Sequence, residues 1–155
     1  MTRLQIEIKQ SRPFRSLEEE VYLNLLRTAD ALFRRQEELL KRVELSPAQY
    51  NVLRILRGAE PEGLACKEIA ERMLTRDPDV TRLLDRLEKR GLVRRSRDRR
   101  DRRVIVVRIS KSGLRLLTDL DQPVSELSRE DLKHLGNDKL RQLIRLLETA
   151  REGSV

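Results

Sequence analysis

Hydrophobic positions along the chain fall into three regimes. From Ser16 to Val43, Leu17, Val21, Leu25, Ala29, Leu32, Phe33, Leu40 and Val43 recur at three- and four-residue spacing, the period of an amphipathic helix. Ser16 with Glu19 three residues on has the form of a capping box at its start. About 27 residues at 1.5 Å each make a helix of roughly 40 Å, longer than a small domain is wide. Its apolar stripe therefore needs a second chain to cover it.

The second regime is a set of shorter helical segments. "LSPAQYNVLRILRG" has Ser46 as N-cap, Pro47 in the first turn, Gln49 completing a capping box and Gly58 as a stop, and "EPEG" follows as a turn. "LACKEIAERML" puts Ile69, Ala70 and Met73 on one face of a short helix. Asp77 and Pro78 then form a cap and first-turn pair for "PDVTRLLDRLEKRG", which buries Val80, Leu83, Leu84 and Leu87 and ends at Gly91. Arg82, Asp85, Arg86 and Lys89 fall on its other side.

After Gly91 the period changes from 3.6 to 2. "LVRRSR" and "VIVVRIS" read as two strands, with Ile105, Val107 and Ile109 facing one way and Val104, Val106 and Arg108 the other. Helix resumes at Ser110, with Leu114, Leu117 and Leu120 buried and Pro123 expected to bend or end it. Val124, Leu127, Leu132 and Leu135 continue the stripe in broken helix. Asn137 is expected to cap a last segment carrying Leu140, Leu143, Ile144 and Leu147. Met1 to Arg15 precede the first clear helix, and "LQIEI" alternates like a strand but is too short to assign.

Charge sharpens this picture at one place. The 155-residue chain has a formal charge of +8 and a pI near 10.2. Residues Arg94 to Arg103 carry seven arginines against two aspartates, a local +5, between the two strands. Like charges crowded this closely belong either to a disordered tail or to a surface held out for an anionic partner. Strands on both sides favour the second reading over a solvated loop.

Two short helices joined by a tight turn and followed by a charged hairpin make a winged helix-turn-helix. The helix up to Arg90 is small enough for a DNA major groove. The hairpin's planar, permanently charged guanidinium groups suit phosphates and a narrow minor groove. The fold expected is mainly α with a small β-hairpin wing, in one domain over 1–155: a DNA-binding lobe at 46–109, flanked by long dimerisation helices at 16–43 and 110–151.

"LTRDPDVTRLLDRLEKRGLVRR" with "DRRDRRVIVVRISKSG" resembles the MarR (multiple antibiotic resistance regulator) family, in motif detail from about Ser46 to Gly113 and in helix order throughout. The wing pattern is Asp101-Arg102-Arg103, then "VIVV", then Ile109-Ser110-Lys111-Ser112-Gly113. The resemblance implies that Arg103 reaches the minor groove while Asp101 holds a neighbouring arginine, and that Thr81, Arg82 and the residues just before them meet the major groove, with Arg86 near a phosphate. It also implies an obligate homodimer on a pseudo-palindrome with half-sites about 10 base pairs apart, and a small aromatic or anionic effector in a crevice between the first long helix and the segments around Leu53 and Leu114. Arg99, Arg100 and Arg102 join the DNA-facing set through their place in the wing.

Two positions depart from the family pattern. Asp77-Pro78-Asp79 stands where small hydroxyl residues are usual, so Asp79 either caps the helix or accepts from a cytosine amino group. Ala65 replaces a usual Ser or Thr cap. Arg76, Arg82 and Arg86 also have a plainer reading as helix-surface arginines, Arg82 pairing with Asp79 or Asp85 and Arg86 with Asp85 or Glu88.

Other chemistry finds little support. Hydrophobic residues make up 38% of the chain and aromatics 3%, so the core is built of Leu, Ile and Val. The lone Cys66 cannot form an internal disulfide and reads as a small core residue. His134 is the single histidine, without partners for a metal site or a catalytic triad. No phosphate-binding Gly-rich loop occurs, and neither an enzyme nor a cofactor is expected. With no apolar leader and no membrane-length apolar run, a cytoplasmic protein is expected. The function expected is a sequence-specific transcriptional regulator that binds double-stranded DNA, most simply a repressor. The alternatives are a nonspecific DNA- or RNA-binding basic protein and a winged-helix protein adaptor, which has no need of arginines at the wing tip.

Overall fold

The computed structural model describes residues 1–153; the last two positions of the expected 1–155 domain lie outside the described residues. In chain order the elements are α1 (Arg3–Glu7), α2 (Leu17–Lys41), α3 (Pro47–Gly58), β1 (Leu64–Ala65), α4 (Cys66–Arg72), α5 (Val80–Lys89), β2 (Val93–Arg97), β3 (Ile105–Ile109), α6 (Lys111–Leu132), a 3₁₀ turn (Lys133–Leu135) and α7 (Gly136–Glu152). The class is as expected: mainly helical, with a small antiparallel sheet.

The core lies in the central lobe. Tyr50, Val52, Leu53 and Leu56 of α3 pack with Ile69, Leu84, Leu87, Val93, Val107 and Ile109, and α2 and α6 reach in with Leu40, Leu117 and Leu120. Each fully buried Leu contributes about 1.5–3 kcal/mol, so this interlocked set gives the lobe a rigid body on which the hairpin and α5 are mounted.

Local chemistry explains the helix starts. Ser46 accepts from the Gln49 amide at 3.1 Å while Gln49 Oε1 accepts from the Ser46 amide at 2.9 Å, the reciprocal box expected. Ser110 Oγ accepts the Gly113 amide and donates to the Gly91 carbonyl at 2.6 Å, tying α6 to the end of α5. At α2 only half of the box forms: Ser16 accepts from Glu19, but the Glu19 carboxylate turns to the Arg15 amide at 2.6 Å.

Several expectations need correction. "LQIEI" is helical, because Thr2 and Gln5 form a capping box that seeds a five-residue turn. A third strand, β1, fills the free edge of β3, giving the order β1-β3-β2. Pro123 does not end α6, which runs on to Leu132. Asn137 lies inside α7, whose N-cap is Leu135 with no side-chain cap bond. Ala70 is exposed. The alternation along β3 is also imperfect: Ile105 is exposed because it has already left the lobe for the wing arm, whereas Val106 is buried beside Gly63.

The outer helices carry apolar surface that their own chain leaves open. Leu17, Val21, Tyr22, Leu25 and Leu26 of α2 and Leu143, Ile144 and Leu146 of α7 are exposed. α7 is 17 residues long and has no buried residue. Among the described residues, no helix is long and apolar enough to cross a membrane.

Candidate nucleic-acid interface

α5 is the helix that a groove would receive. It begins at Val80, with Asp79 rather than Asp77 as its N-cap: Asp79 Oδ1 accepts from the Arg82 amide at 2.9 Å. Asp77 instead accepts from the Asp79 amide at 2.8 Å, closing the turn before the helix, and Pro78 stays outside. Three turn-forming residues in a row offered two caps, and the burial of Val80 selects the later one.

Val80, Leu84 and Leu87 face the core, which leaves Thr81, Arg82 and Arg86 exposed. Neither Arg82 nor Arg86 forms an ion pair or a side-chain hydrogen bond among the described residues, so the surface pairings expected for them are absent. Arg86 stands one and two residues from Asp85 and Glu88, spacings that do not face each other on a helix. Both carboxylates are engaged elsewhere. Arg76, in the loop ahead of α5, is also exposed and forms no ion pair among the described residues.

The hairpin is built to be stiff. Val93 pairs with Ile109, Arg95 with Val107 and Arg97 with Ile105. Strand alternation therefore sets Arg95 on the same face as Val93, one step beyond the core and against α5. There its Nη2 donates to Asp85 Oδ1, its Nε to Glu88 Oε1 at 3.3 Å, and its backbone amide to Glu88 Oε2 at 2.9 Å. These bonds hold the Arg95 proton more tightly than usual, the bond to Asp85 most of all. On the other face, Arg108 bridges Ser96 Oγ at 3.0 Å and the Pro61 carbonyl at 3.1 Å.

Carboxylates shape the tip. Asp98 Oδ1 accepts from the amides of Arg100 at 2.6 Å and Asp101 at 3.1 Å, and Asp101 Oδ1 accepts from the Arg103 amide at 3.0 Å. Asp101 thus engages Arg103, but by its backbone and not by its guanidinium. Arg97 Nη1 closes the loop on the Arg102 carbonyl at 2.9 Å. The amides of Asp101 and Arg100 hold the Asp98 carboxyl below the usual aspartate range, helped by the nearby Arg100 charge. The guanidinium groups of Arg99, Arg100, Arg102 and Arg103 form no hydrogen bond or ion pair among the described residues, so four permanent charges stand in solvent on an ordered turn. Asp98 is the residue that sequence reasoning missed here; an aspartate two and three positions before the amides it accepts is the signal it left.

The crevice lies between α2 and the segment of α3 around Leu53, and meets α6 at Val124 and Ser128 rather than around Leu114. A cleft of about 530 Å³ opens between α2, α3, α6 and the loop after α4, lined by Phe33, Tyr50, Arg54, Asn51, Leu74 and Val124 among others. Leu53 is wholly buried in the core and Leu114 belongs to the core's margin, so neither lines it. Asn51 Oδ1 accepts from the Leu74 amide at 2.8 Å across one wall, and Arg54 lies 5.9 Å over the Tyr50 ring. At the other two singled-out positions, Cys66 is half-buried against the core with its Sγ 3.8 Å from Thr81 Oγ1, and His134 is exposed. Ala65 caps α4 without a side-chain bond, while the Glu68 carboxylate takes its amide at 2.9 Å. Among the described residues, no group of His, Cys, Asp and Glu is placed to hold a metal.

This arrangement has close counterparts. The MarR family model matches residues 45–105, the lobe and most of the wing. A MarR transcription factor from Planctomyces limnophilus is 47% identical, over 88% of this chain and 99% of its own, with a TM-score of 0.68. The chain belongs to the MarR family. It is accordingly a winged-helix, DNA-binding transcriptional regulator and not an enzyme. The HTH-type transcriptional regulator TtmR of Methylorubrum extorquens is 38% identical over 106 residues, 68% of this chain but only 53% of that protein, so the match spans about half of it. A cysteine-to-serine variant of MarR from Escherichia coli, solved in complex with operator DNA, is 25% identical over 87% of this chain and 98% of its own, with a TM-score of 0.77.

Proposed function

We propose that this MarR protein is a repressor that binds a pseudo-palindromic operator as a homodimer and blocks a promoter by occupying it. The observation that carries this reading is the wing: four guanidinium groups without a partner among the described residues, on a carboxylate-stiffened turn, beside a helix whose Arg82 and Arg86 are likewise unpaired among them. Arg99, Arg100, Arg102 and Arg103 take phosphates, with Arg103 reaching into the minor groove. Thr81 and Arg82 face the major groove, Arg86 and Arg76 sit near phosphates, and Asp101 positions the tip. Asp79 spends one carboxylate oxygen on its cap and has the other left for a cytosine amino group. Phosphate contacts supply most of the affinity and base edges the selectivity.

The open apolar faces of α2 and α7 support twofold pairing, which sets two wings and two copies of α5 about 10 base pairs apart. The 46–109 lobe then acts as the reading head, and 16–43 with 110–151 as the dimer frame. A cleft of this size, with two aromatic rings and one guanidinium, suits a small aromatic or anionic effector. The protein works in the cytoplasm, where chromosomal DNA is accessible.

The test is footprinting on the DNA upstream of the protein's own gene, followed by titration against the protected duplex and a scrambled one. A protected inverted repeat and a preference of about 10³-fold or more are expected. Equal affinity for the scrambled duplex means a nonspecific nucleic-acid binder instead.

A further inference from the structure

Arg95 belongs to the arginine-rich run by sequence but stands apart from it in space. Its side chain is 24% exposed, and two of its guanidinium nitrogens and its backbone amide are all committed to Asp85 and Glu88. Those two carboxylates are the acidic residues on the exposed side of α5, interleaved with Arg82, Arg86 and Lys89. Asp85 lies three residues after Arg82 and four before Lys89, the spacings at which helical ion pairs form. Nothing in α5 alone keeps Asp85 from neutralising either of them; the clasp from β2 does.

We infer that Arg95 is a positioning residue for DNA recognition: it draws Asp85 and Glu88 toward the hairpin, leaving Arg82 unneutralised for the duplex, and fixes the wing against α5 without touching DNA itself. The planar fork of arginine reaches two carboxylates at once, which a lysine ammonium cannot do in this geometry. Asp85, Glu88 and Arg82 are thereby arranged by a residue that the nucleic acid does not meet.

The inference rests on the DNA-binding reading above and is separable from it by a double-mutant cycle. Affinity for a duplex selected from a random pool by the wild-type protein is measured by fluorescence anisotropy for four proteins: wild type, Arg95→Met, the pair Asp85→Asn with Glu88→Gln, and all three together. Thermal melts confirm that each is folded. Arg95→Met is expected to weaken binding roughly tenfold or more in the wild-type background and less than about threefold in the carboxylate-free background. Each background loses the same single charge, so general electrostatics cancels from the comparison. Equal losses in both backgrounds identify Arg95 as an ordinary phosphate contact and overturn the inference. If Arg95→Met does not fold, Arg95→Lys carries the same cycle; binding within twofold of wild type for that variant is the overturning result. A wild-type protein that selects no duplex at all defeats the DNA-binding reading itself, before the cycle begins.

Discussion

Asp98 accepts two amides through one oxygen, and those two bonds fix the backbone from which Arg99, Arg100 and Arg102 project. Asp98→Ala keeps every arginine and gains net positive charge, so a purely electrostatic wing would bind DNA more tightly. The expected result is the opposite: weaker binding by about three- to tenfold with little change in melting temperature, because loss of an exposed turn bond frees the tip without touching the core. Arg103→Ala removes a guanidinium instead, and is expected to lower affinity and flatten the slope of log K against log salt by about 1. The two aspartates with depressed pKa values, Asp98 and Asp121, also set an acid limit. A carboxyl held below its ordinary value stabilises the fold above about pH 4 and loses that contribution as pH falls through the depressed pKa. Protection of the Arg100 and Asp101 amides, measured against the intrinsic exchange rate at each pH, is therefore expected to fall as pH drops below about 4, ahead of protection in the core.

Among the elements, the junction of β3 and α6 is closely packed at Gly113. A Cβ on Gly113 would lie 2.4 Å from the Leu92 carbonyl oxygen and 2.7 Å from Ile109 Cγ1. Alanine gains about 1 kcal/mol of helix propensity over glycine. Overpacking against a fixed backbone costs about 1–3 kcal/mol or more, so Gly113→Ala is expected to destabilise the protein in denaturant titration. Much at this scale was legible in the sequence. Ser46-Pro47-Gln49 and Ser110 announced their helices because caps are local, and the shift to period 2 after Gly91 located the hairpin. β1 was not legible: two residues cannot display an alternation, and the strand exists because β3 has a free edge beside it. The start of α5 was misplaced for a related reason, since two aspartates flanking Pro78 are equivalent until packing of Val80 decides. Arg95 was hidden inside a run of identical residues. Its distinguishing mark was parity: two positions after the inward-facing Val93, it had to face α5.

For the molecule as a whole, the lobe is complete and the frame is not. α2 and α7 present Leu17, Val21, Leu25 and Ile144 to solvent, while the lobe's interior is sealed. If a second copy covers these faces, melting temperature rises with protein concentration by mass action. On the proposed pairing, Ile144→Asp is expected to yield monomers in sedimentation and to lower duplex affinity far more than any single wing substitution, since it would separate two reading heads. The resemblance read from the lobe and wing implied the dimer. Only the folded chain shows how little of α7 its own subunit covers.

The hydrogen bond from the Leu74 amide to Asn51 joins a wall of the cleft to the loop that leads, six residues later, into α5. A compound that occupies the cleft must either spare that bond or take its place, and in the second case the start of the groove-seeking helix loses its anchor. Chemical sensing would then hinge on a single side-chain amide acting as a latch, with the affinity of the visitor set against the grip of one asparagine.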